Sequence, residues 1–145
     1  MTGVQDRKVI LSLLWIFVLF NYIYADIFTL TFGPVLQPGV TVDITEGSAL
    51  AFAVLMETAI AMVLVSRLLA YRANRWANIC VGIIHTALVA WSLTVATPTL
   101  FYAFFATIEI VCTLFVVWYA WTWRPSHTEE EIEATGDVVR DRVTV

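Results

Sequence analysis

Four long apolar segments constrain this chain more than any other feature of its sequence. They cover approximately residues 9–30, 48–70, 76–96 and 98–121. A helix needs about 20 mostly apolar residues to cross the hydrocarbon core of a bilayer, and each segment is of that length. Lipid offers no partner to an unpaired backbone amide, so spanning segments of this kind must be helical. The chain is therefore predicted to be an all-α integral membrane protein with four transmembrane helices.

The composition requires the bilayer to act as solvent for much of the chain. Of its 145 residues, 60% are hydrophobic and only 14% are charged, whereas soluble domains carry about 25% charged residues. A soluble fold this apolar has too few polar side chains to cover its surface. The composition therefore excludes an ordinary soluble domain, and no basic stretch typical of a nucleic-acid interface is present.

The chain is predicted to divide into a transmembrane domain, residues 1–124, and an acidic polar tail, residues 125–145. The low hydrophobicity of the tail is typical of a solvated segment, and a docking segment for a partner is the alternative. Thr97 and Pro98 separate the third and fourth helices, and Thr97 is predicted to cap the fourth. Short connections of this kind predict an antiparallel four-helix bundle.

The positive charges predict the orientation of the bundle. Short cytoplasmic loops of membrane proteins carry an excess of lysine and arginine. All eight such residues lie before the first helix, around the second connection or after the fourth helix: Arg7, Lys8, Arg67, Arg72, Arg75, Arg124, Arg140 and Arg142. Both termini, the second connection and the acidic tail are therefore predicted to lie in the cytoplasm.

Three of these arginines, Arg67, Arg72 and Arg75, are predicted to form a basic rim at the cytoplasmic end of the bundle. One interpretation is that their long side chains simply extend to the headgroups. The other is that the rim contacts an anionic ligand or anionic lipid, at about 1 kcal/mol per charge. The same end carries a predicted belt of interfacial tryptophans, Trp76, Trp118, Trp121 and Trp123.

Each predicted helix contains one ionisable side chain at membrane depth. In the order of the helices, these are Asp26, Glu57, His85 and Glu109. The helical rise places Asp26 nearer the outer face and the other three near the midplane. Such residues are costly in lipid, so they normally face the bundle interior and mark a functional site. Tyr22 lies one turn before Asp26 on the same helical face. These five residues are predicted to form one intramembrane polar cluster.

On the second helix, small residues surround the carboxylate at a spacing of four: Ala49, Ala53, Glu57 and Ala61. A row of small residues lets another helix approach closely. The row is therefore predicted to face the bundle interior and to place Glu57 in a helix contact.

Three functions are compatible with the polar cluster. In the first, the protein is a non-catalytic accessory or structural subunit, and hydrogen-bonded polar groups hold its helices in register. In the second, a small ion- or proton-coupled transporter binds its ion at Glu57 and Glu109, and His85, which titrates near neutral pH, relays protons. In the third, a metal-dependent membrane enzyme uses His85 with carboxylates. A single interior histidine and no Glu-x-x-His pair argue against the third.

The first function is the leading prediction, and it requires no enzymatic activity, metal or cofactor. The predicted partners are the lipid bilayer and either a second copy of the chain or another membrane protein. No nucleic acid is expected among them.

Two stretches carry a family resemblance: 11–27, LSLLWIFVLFNYIYADI, and 55–79, LMETAIAMVLVSRLLAYRANRWANI. They resemble a family of small four-helix bacterial membrane proteins that is labelled only as a domain of unknown function. The resemblance covers most of the chain up to Trp123. It implies the four-helix fold and a location in the bacterial inner membrane, and it implies no activity.

Overall fold

A computed structural model describes residues 3–37, 45–95 and 98–124 of the chain. It contains four α-helices: α1 (Gly3–Leu36), α2 (Glu46–Leu68), α3 (Tyr71–Val95) and α4 (Leu100–Trp121). All four are long and apolar enough to cross a membrane. The predictions of an all-α fold and of four helices apolar enough to span a membrane are confirmed. The predicted acidic tail, residues 125–145, lies outside the described residues.

Two helices extend beyond their predicted limits. α1 continues through Gly33 and Pro34 to Leu36, because a proline in the last turn removes only one backbone hydrogen bond. α3 begins at Tyr71 rather than near Trp76. The charged stretch that was assigned to a connection is therefore helical, and the chain turns from α2 into α3 within two residues, 69 and 70.

Threonine side chains cap two of the helices. Thr45 and Ser48 form a reciprocal capping box at the start of α2, in which the Thr45 hydroxyl accepts from the Ser48 amide at 3.2 Å. Thr99 caps α4 by accepting from the Tyr102 amide at 3.4 Å. A cap of this type stabilises a helix by about 1 kcal/mol. The predicted cap, Thr97, lies outside the described residues, and Thr99 has that role.

Each helix packs against two neighbours, in the cyclic order α1, α2, α3, α4. Of these four contacts, that between α3 and α4 is the most extensive and that between α2 and α3 is the least extensive. Gly82 lies at the close approach of α3 and α4, where an added Cβ would lie 2.7 Å from Val117 Cγ2. That position therefore needs a residue without a side chain.

The centre of the bundle contains fully buried apolar side chains. Trp15, Val18, Ala59 and Val116 have no solvent exposure, and Met62 has almost none. Many large apolar side chains, in contrast, lie on the outer surface, as expected for helices that use lipid as solvent. α2 has the most exposed surface of the four helices.

Candidate functional site

His85 connects three of the four helices. It lies on α3 and is fully buried. The Tyr22 hydroxyl of α1 is 2.8 Å from its Nδ1 atom, and the Thr58 hydroxyl of α2 is 3.0 Å from its Nε2 atom. The Leu55 carbonyl is an acceptor for the Thr58 hydroxyl at 2.7 Å, so we assign Thr58 as the acceptor from Nε2–H. This arrangement fits a neutral imidazole that accepts from Tyr22 at Nδ1.

A ladder of hydrogen bonds continues from His85 towards the basic end of the bundle. The Trp15 ring packs edge-on against the His85 ring, with 5.5 Å between centroids. Its indole N–H donates to Asn78 Oδ1 at 2.8 Å, and Ser66 donates to the same oxygen at 3.2 Å. Asn78 donates to Asn74, at 2.7 Å to the side-chain oxygen. The ladder thereby joins α1, α2 and α3.

Asn74 completes this ladder by donating to the Ser66 carbonyl at 2.7 Å. Ser66, Asn74 and Asn78 are all fully buried. Buried amides without partners cost roughly 1–3 kcal/mol each, so such side chains hold helices together only when their bonds are made. Here both asparagines are hydrogen-bonded, which makes the ladder a cross-link between helices.

α4 is joined to α3 by hydroxyl pairs. Thr86 and Thr113 are 2.7 Å apart at their hydroxyl oxygens, and Tyr102 donates to Ser92 at 2.7 Å. Both pairs lie at the contact between α3 and α4. They fix the rotation of α4 relative to α3 without involving His85.

Glu109 differs from the other buried polar groups. Its side chain is only 5% exposed, and its buried Oε1 atom has no hydrogen-bond partner in the described part of the chain. The carboxyl group interacts electrostatically with Tyr22 and with Asp26 of α1. Glu109 therefore lies beside the His85 network and leaves one acceptor open.

The structure places Glu57 on the outer surface of the bundle, and this corrects the prediction that it faces the interior. The small residues of its row, Ala49, Ala53 and Ala61, are exposed as well. α2 instead buries the face that contains Ala59, Met62 and Ser66. At 100° per residue, Glu57 lies about 140–180° around the helix from those three residues.

Asp26 is also exposed, which corrects its predicted interior position. Of the predicted polar cluster, Tyr22, His85 and Glu109 are buried together, whereas Glu57 and Asp26 are not. The correction has a physical reason, because α2 is apolar on all faces and its sequence pattern does not determine which face turns inward.

Three residues that bond to His85 or belong to the ladder were missed in the sequence: Thr58, Ser66 and Asn74. Thr58 lies between Glu57 and Ala59, and Ser66 lies between Val65 and Arg67, so a charged neighbour drew attention away from each. Asn74 was assigned to a connection, because arginines flank it. The signal that could have identified it is its spacing, since Asn74, Asn78 and His85 fall on one face of a helix that starts at Tyr71.

The basic residues that the structure describes collect at one end of the bundle. Lys8 donates to the Leu69 carbonyl at 2.8 Å, and Arg7 donates to the Tyr119 carbonyl at 3.3 Å. The start of α1 thereby binds the last turns of α2 and α4, where cations are favoured. Of the predicted rim, Arg67 and Arg72 are exposed, and Arg75 is half-buried.

No group of three or more His, Cys, Asp or Glu side chains that could hold a metal ion occurs within residues 3–37, 45–95 and 98–124. Cys80 is exposed and Cys112 is buried, and both are free thiols. The polar interior is thus built from hydroxyl, amide, indole and imidazole groups, with one carboxyl group beside them.

The chain belongs to the family DUF6326, described as a family of unknown function, which it matches over residues 2–129. The resemblance to a family of unknown function seen in the sequence is thereby confirmed. A search of curated proteins and a search of solved structures each found no match.

Proposed function

We propose that this protein is a non-catalytic structural subunit of the bacterial plasma membrane, which acts by assembling with other membrane helices. One observation carries the proposal. The buried pairs Trp15–Asn78 and Tyr22–His85 are hydrogen-bonded across the helices, whereas a carboxyl group at the middle of α2 faces outward. The interior thus supports a stable unit, and the outer face of α2 is the part left to interact.

The proposed topology is an antiparallel bundle with both termini in the cytoplasm. Contacts between the start of α1 and the end of α2 support antiparallel packing, since Lys8 binds the Leu69 carbonyl and Ser12 binds the Val63 carbonyl. The positive-inside rule supports the orientation, because Arg7, Lys8 and Arg75 all lie at the same end.

The outward-facing Glu57 carboxyl group is expected to bind a partner within the membrane. Glu57 is the middle residue of α2, which puts it roughly 16 Å from either end of the helix. An ionisable side chain at the bilayer centre is costly when it faces lipid. A hydrogen-bonded partner that covers Glu57 removes this cost, so an exposed α2 face favours association.

A second copy of this chain is the proposed partner. Two copies with the same topology pack α2 against α2 in parallel, so a two-fold axis brings each residue opposite its counterpart. Glu57 then meets the Glu57 of the other copy, and a protonated carboxyl group donates to its neighbour. The exposed alanines of the row, Ala53 and Ala61, allow the helices to approach closely enough for this bond.

The test measures energy transfer between donor- and acceptor-labelled copies in liposomes at a series of protein-to-lipid ratios. Ala61→Leu places a larger side chain between the two α2 helices. It is expected to weaken association about tenfold or more, because the two helices and their Glu57 carboxyl groups are then held farther apart. Ala51→Leu is the matched control. Ala51 is also exposed on α2, but it lies about 120° around the helix from Glu57, so its replacement should change association less than twofold.

Glu57 itself supplies a second comparison. Glu57→Leu removes the hydrogen bond and is expected to weaken association, whereas Glu57→Gln retains an amide that can bond across the axis and should associate nearly as well. Wild-type protein that stays monomeric at every density would contradict the proposal. So would a different membrane protein that co-purifies with the wild type and is lost on Ala61→Leu, because it would identify that protein as the occupant.

The predicted alternative, a small ion- or proton-coupled transporter, is favoured by one observation. Glu109 has a buried, unbonded oxygen beside Tyr22, which in turn bonds to His85. Such an acceptor could take up a proton or bind a cation from within the bundle. Its test is pH-gradient-driven flux in liposomes, which Glu109→Gln should abolish. Wild-type liposomes without flux of protons or alkali cations would remove this alternative.

A further inference from the structure

An open cleft of about 470 Å³ lies at the basic end of the bundle, where α4 ends beside the start of α3. Six residues line it: Tyr71, Arg75, Trp121, Thr122, Trp123 and Arg124. Two of them are arginines, and none is acidic. The cleft is separate from the His85 network and from the outer face of α2.

The walls of the cleft are fixed by the chain that follows α4. Tyr71 donates to the Trp123 carbonyl at 2.7 Å, and the two rings pack edge-to-face with 5.2 Å between centroids. Trp123 is 2% exposed. This contact folds the end of α4 against the first turn of α3, so the cleft is a built feature of the described structure.

Arg75 is held in place but is not fully bonded. Its Nη2 atom donates to the Trp121 carbonyl at 3.0 Å, and its guanidinium lies 5.6 Å from the centre of the Trp121 ring. Its Nε atom is buried and has no hydrogen-bond partner among residues 3–37, 45–95 and 98–124. A desolvated cationic donor of this kind is costly until an acceptor reaches it.

Arg124 supplies a second positive charge at the edge of the cleft. It is exposed, and no hydrogen bond or ion pair to it occurs within the part of the chain that the structure describes. α3 also begins at this cleft with Tyr71, so the partial positive charge of its N-terminus adds to the field. The carbonyls of Trp121 and Trp123, which would repel an anion, are already bonded to Arg75 and Tyr71.

These features match the chemistry of a phosphate group. Guanidinium groups bind phosphate oxygens through paired, charge-assisted hydrogen bonds. Tryptophans are favoured at the level of the lipid headgroups, and Trp121 is exposed beside the cleft. A phosphate carried by a phospholipid reaches this position from the membrane itself, whereas free phosphate must arrive from water.

We propose that the cleft between Arg75 and Arg124 binds the phosphate of an anionic phospholipid headgroup at the basic end of the bundle. The phosphate oxygens accept from Arg75 and Arg124, and the glycerol and acyl chains extend along the exposed apolar surface beside Trp121. The site is independent of the proposed assembly through α2, because no cleft residue belongs to that helix.

The test uses the full-length protein in nanodiscs of phosphatidylcholine, with phosphatidylglycerol or inorganic phosphate added as the probe. Native mass spectrometry counts the bound phosphatidylglycerol. The wild type is expected to retain one molecule in preference to phosphatidylcholine. Arg124→Gln should weaken this binding about tenfold, because it removes a charge-assisted bond without removing a hydrogen bond or ion pair between described residues.

Arg67→Gln is the matched control. Arg67 is an exposed arginine in the last turn of α2 at the same end of the bundle, but it does not line the cleft. Its replacement removes the same charge and should change phosphatidylglycerol binding less than twofold. Equal losses in the Arg67 and Arg124 variants would overturn the proposal, since general surface charge would then explain the binding.

Arg75→Lys separates charge from geometry. Lysine keeps the positive charge but lacks the Nε donor and the planar fork, so phosphatidylglycerol binding should fall by about tenfold. Undiminished binding to this variant would contradict the role of Arg75. The wild type could instead bind inorganic phosphate saturably, lose that binding in Arg124→Gln, and show no preference for phosphatidylglycerol. That result would contradict the proposal that the bound phosphate belongs to a phospholipid.

Discussion

His85 and Glu57 both occupy the middle of a helix of transmembrane length, but their surroundings are opposite. His85 is fully buried and bonded through both ring nitrogens. Glu57 is exposed on the outer face of α2. The comparison shows that depth along a helix and rotation about its axis are separate properties. An ionisable residue at the midplane marks an interior site only when its helix turns that face inward.

The two residues therefore have different roles in this account. Tyr22, Thr58 and His85 join three helices, so the loss of the imidazole affects the stability of each chain. Glu57 contacts none of the other helices through a hydrogen bond in the described residues, so its loss affects association between chains. The two roles would be wrong if a His85 variant lost only association between chains, or if a Glu57 variant lost only the stability of each chain.

The largest expected effect is that of His85→Leu. The substitution leaves the buried Tyr22 hydroxyl without its partner and removes the imidazole contact to Thr58, so the free energy of unfolding should fall by about 2–4 kcal/mol. The measurement is reversible unfolding in mixed micelles, followed by circular dichroism. Glu57→Leu is the counterpart at the same depth, and it should change the unfolding free energy of the monomer by less than about 0.5 kcal/mol. Equal losses would show that Glu57 is an interior group.

A smaller effect is expected from Tyr22→Phe. This change keeps the ring and removes only the donor to His85 Nδ1, which should lower the free energy of unfolding by about 1 kcal/mol. Tyr24→Phe is the matched control, because Tyr24 lies two residues away on α1 and is 53% exposed. The same unfolding assay should detect no change for it. If both variants lose the same stability, the Tyr22–His85 bond is not part of the network.

The smallest effect is expected from Glu109→Gln. The amide has the same shape as the carboxyl group, and the Oε1 atom has no partner to lose. The free energy of unfolding should change by less than about 1 kcal/mol, with a gain if the carboxyl group is charged in the wild type. The comparison in the same assay is His85→Leu. A loss as large as that of His85→Leu would make Glu109 an essential part of the helix contacts.

The sequence predicts the fold well for a physical reason. Length and hydropathy determine which segments are long and apolar enough to span a bilayer, and the absence of water from its core leaves the helix as their conformation. The ends of the helices are harder to predict. Pro34 is compatible with a last helical turn, and the stretch from Tyr71 to Trp76 is charged but helical.

The rotation of each helix is less predictable than its position. On α3, Asn78 and His85 share one face, and the structure buries both. On α2, the alanine row around Glu57 is a good packing surface, but so is the face with Ala59 and Ser66. Small-residue spacing identifies a surface for close approach, and it does not say whether the approaching helix belongs to the same chain.

The most direct test of the account is the identity of the group that bonds to His85 Nε2. Solid-state NMR of the protein in lipid, with labelled histidine, threonine and glutamate, can detect short-range correlations between the imidazole nitrogens and neighbouring side chains. We expect a correlation from Nε2–H to Thr58 and none to the Glu57 carboxyl group, with Nδ1 unprotonated and bonded to Tyr22. A direct correlation between His85 Nε2 and the Glu57 carboxyl group would contradict it, because Glu57 would then face the interior.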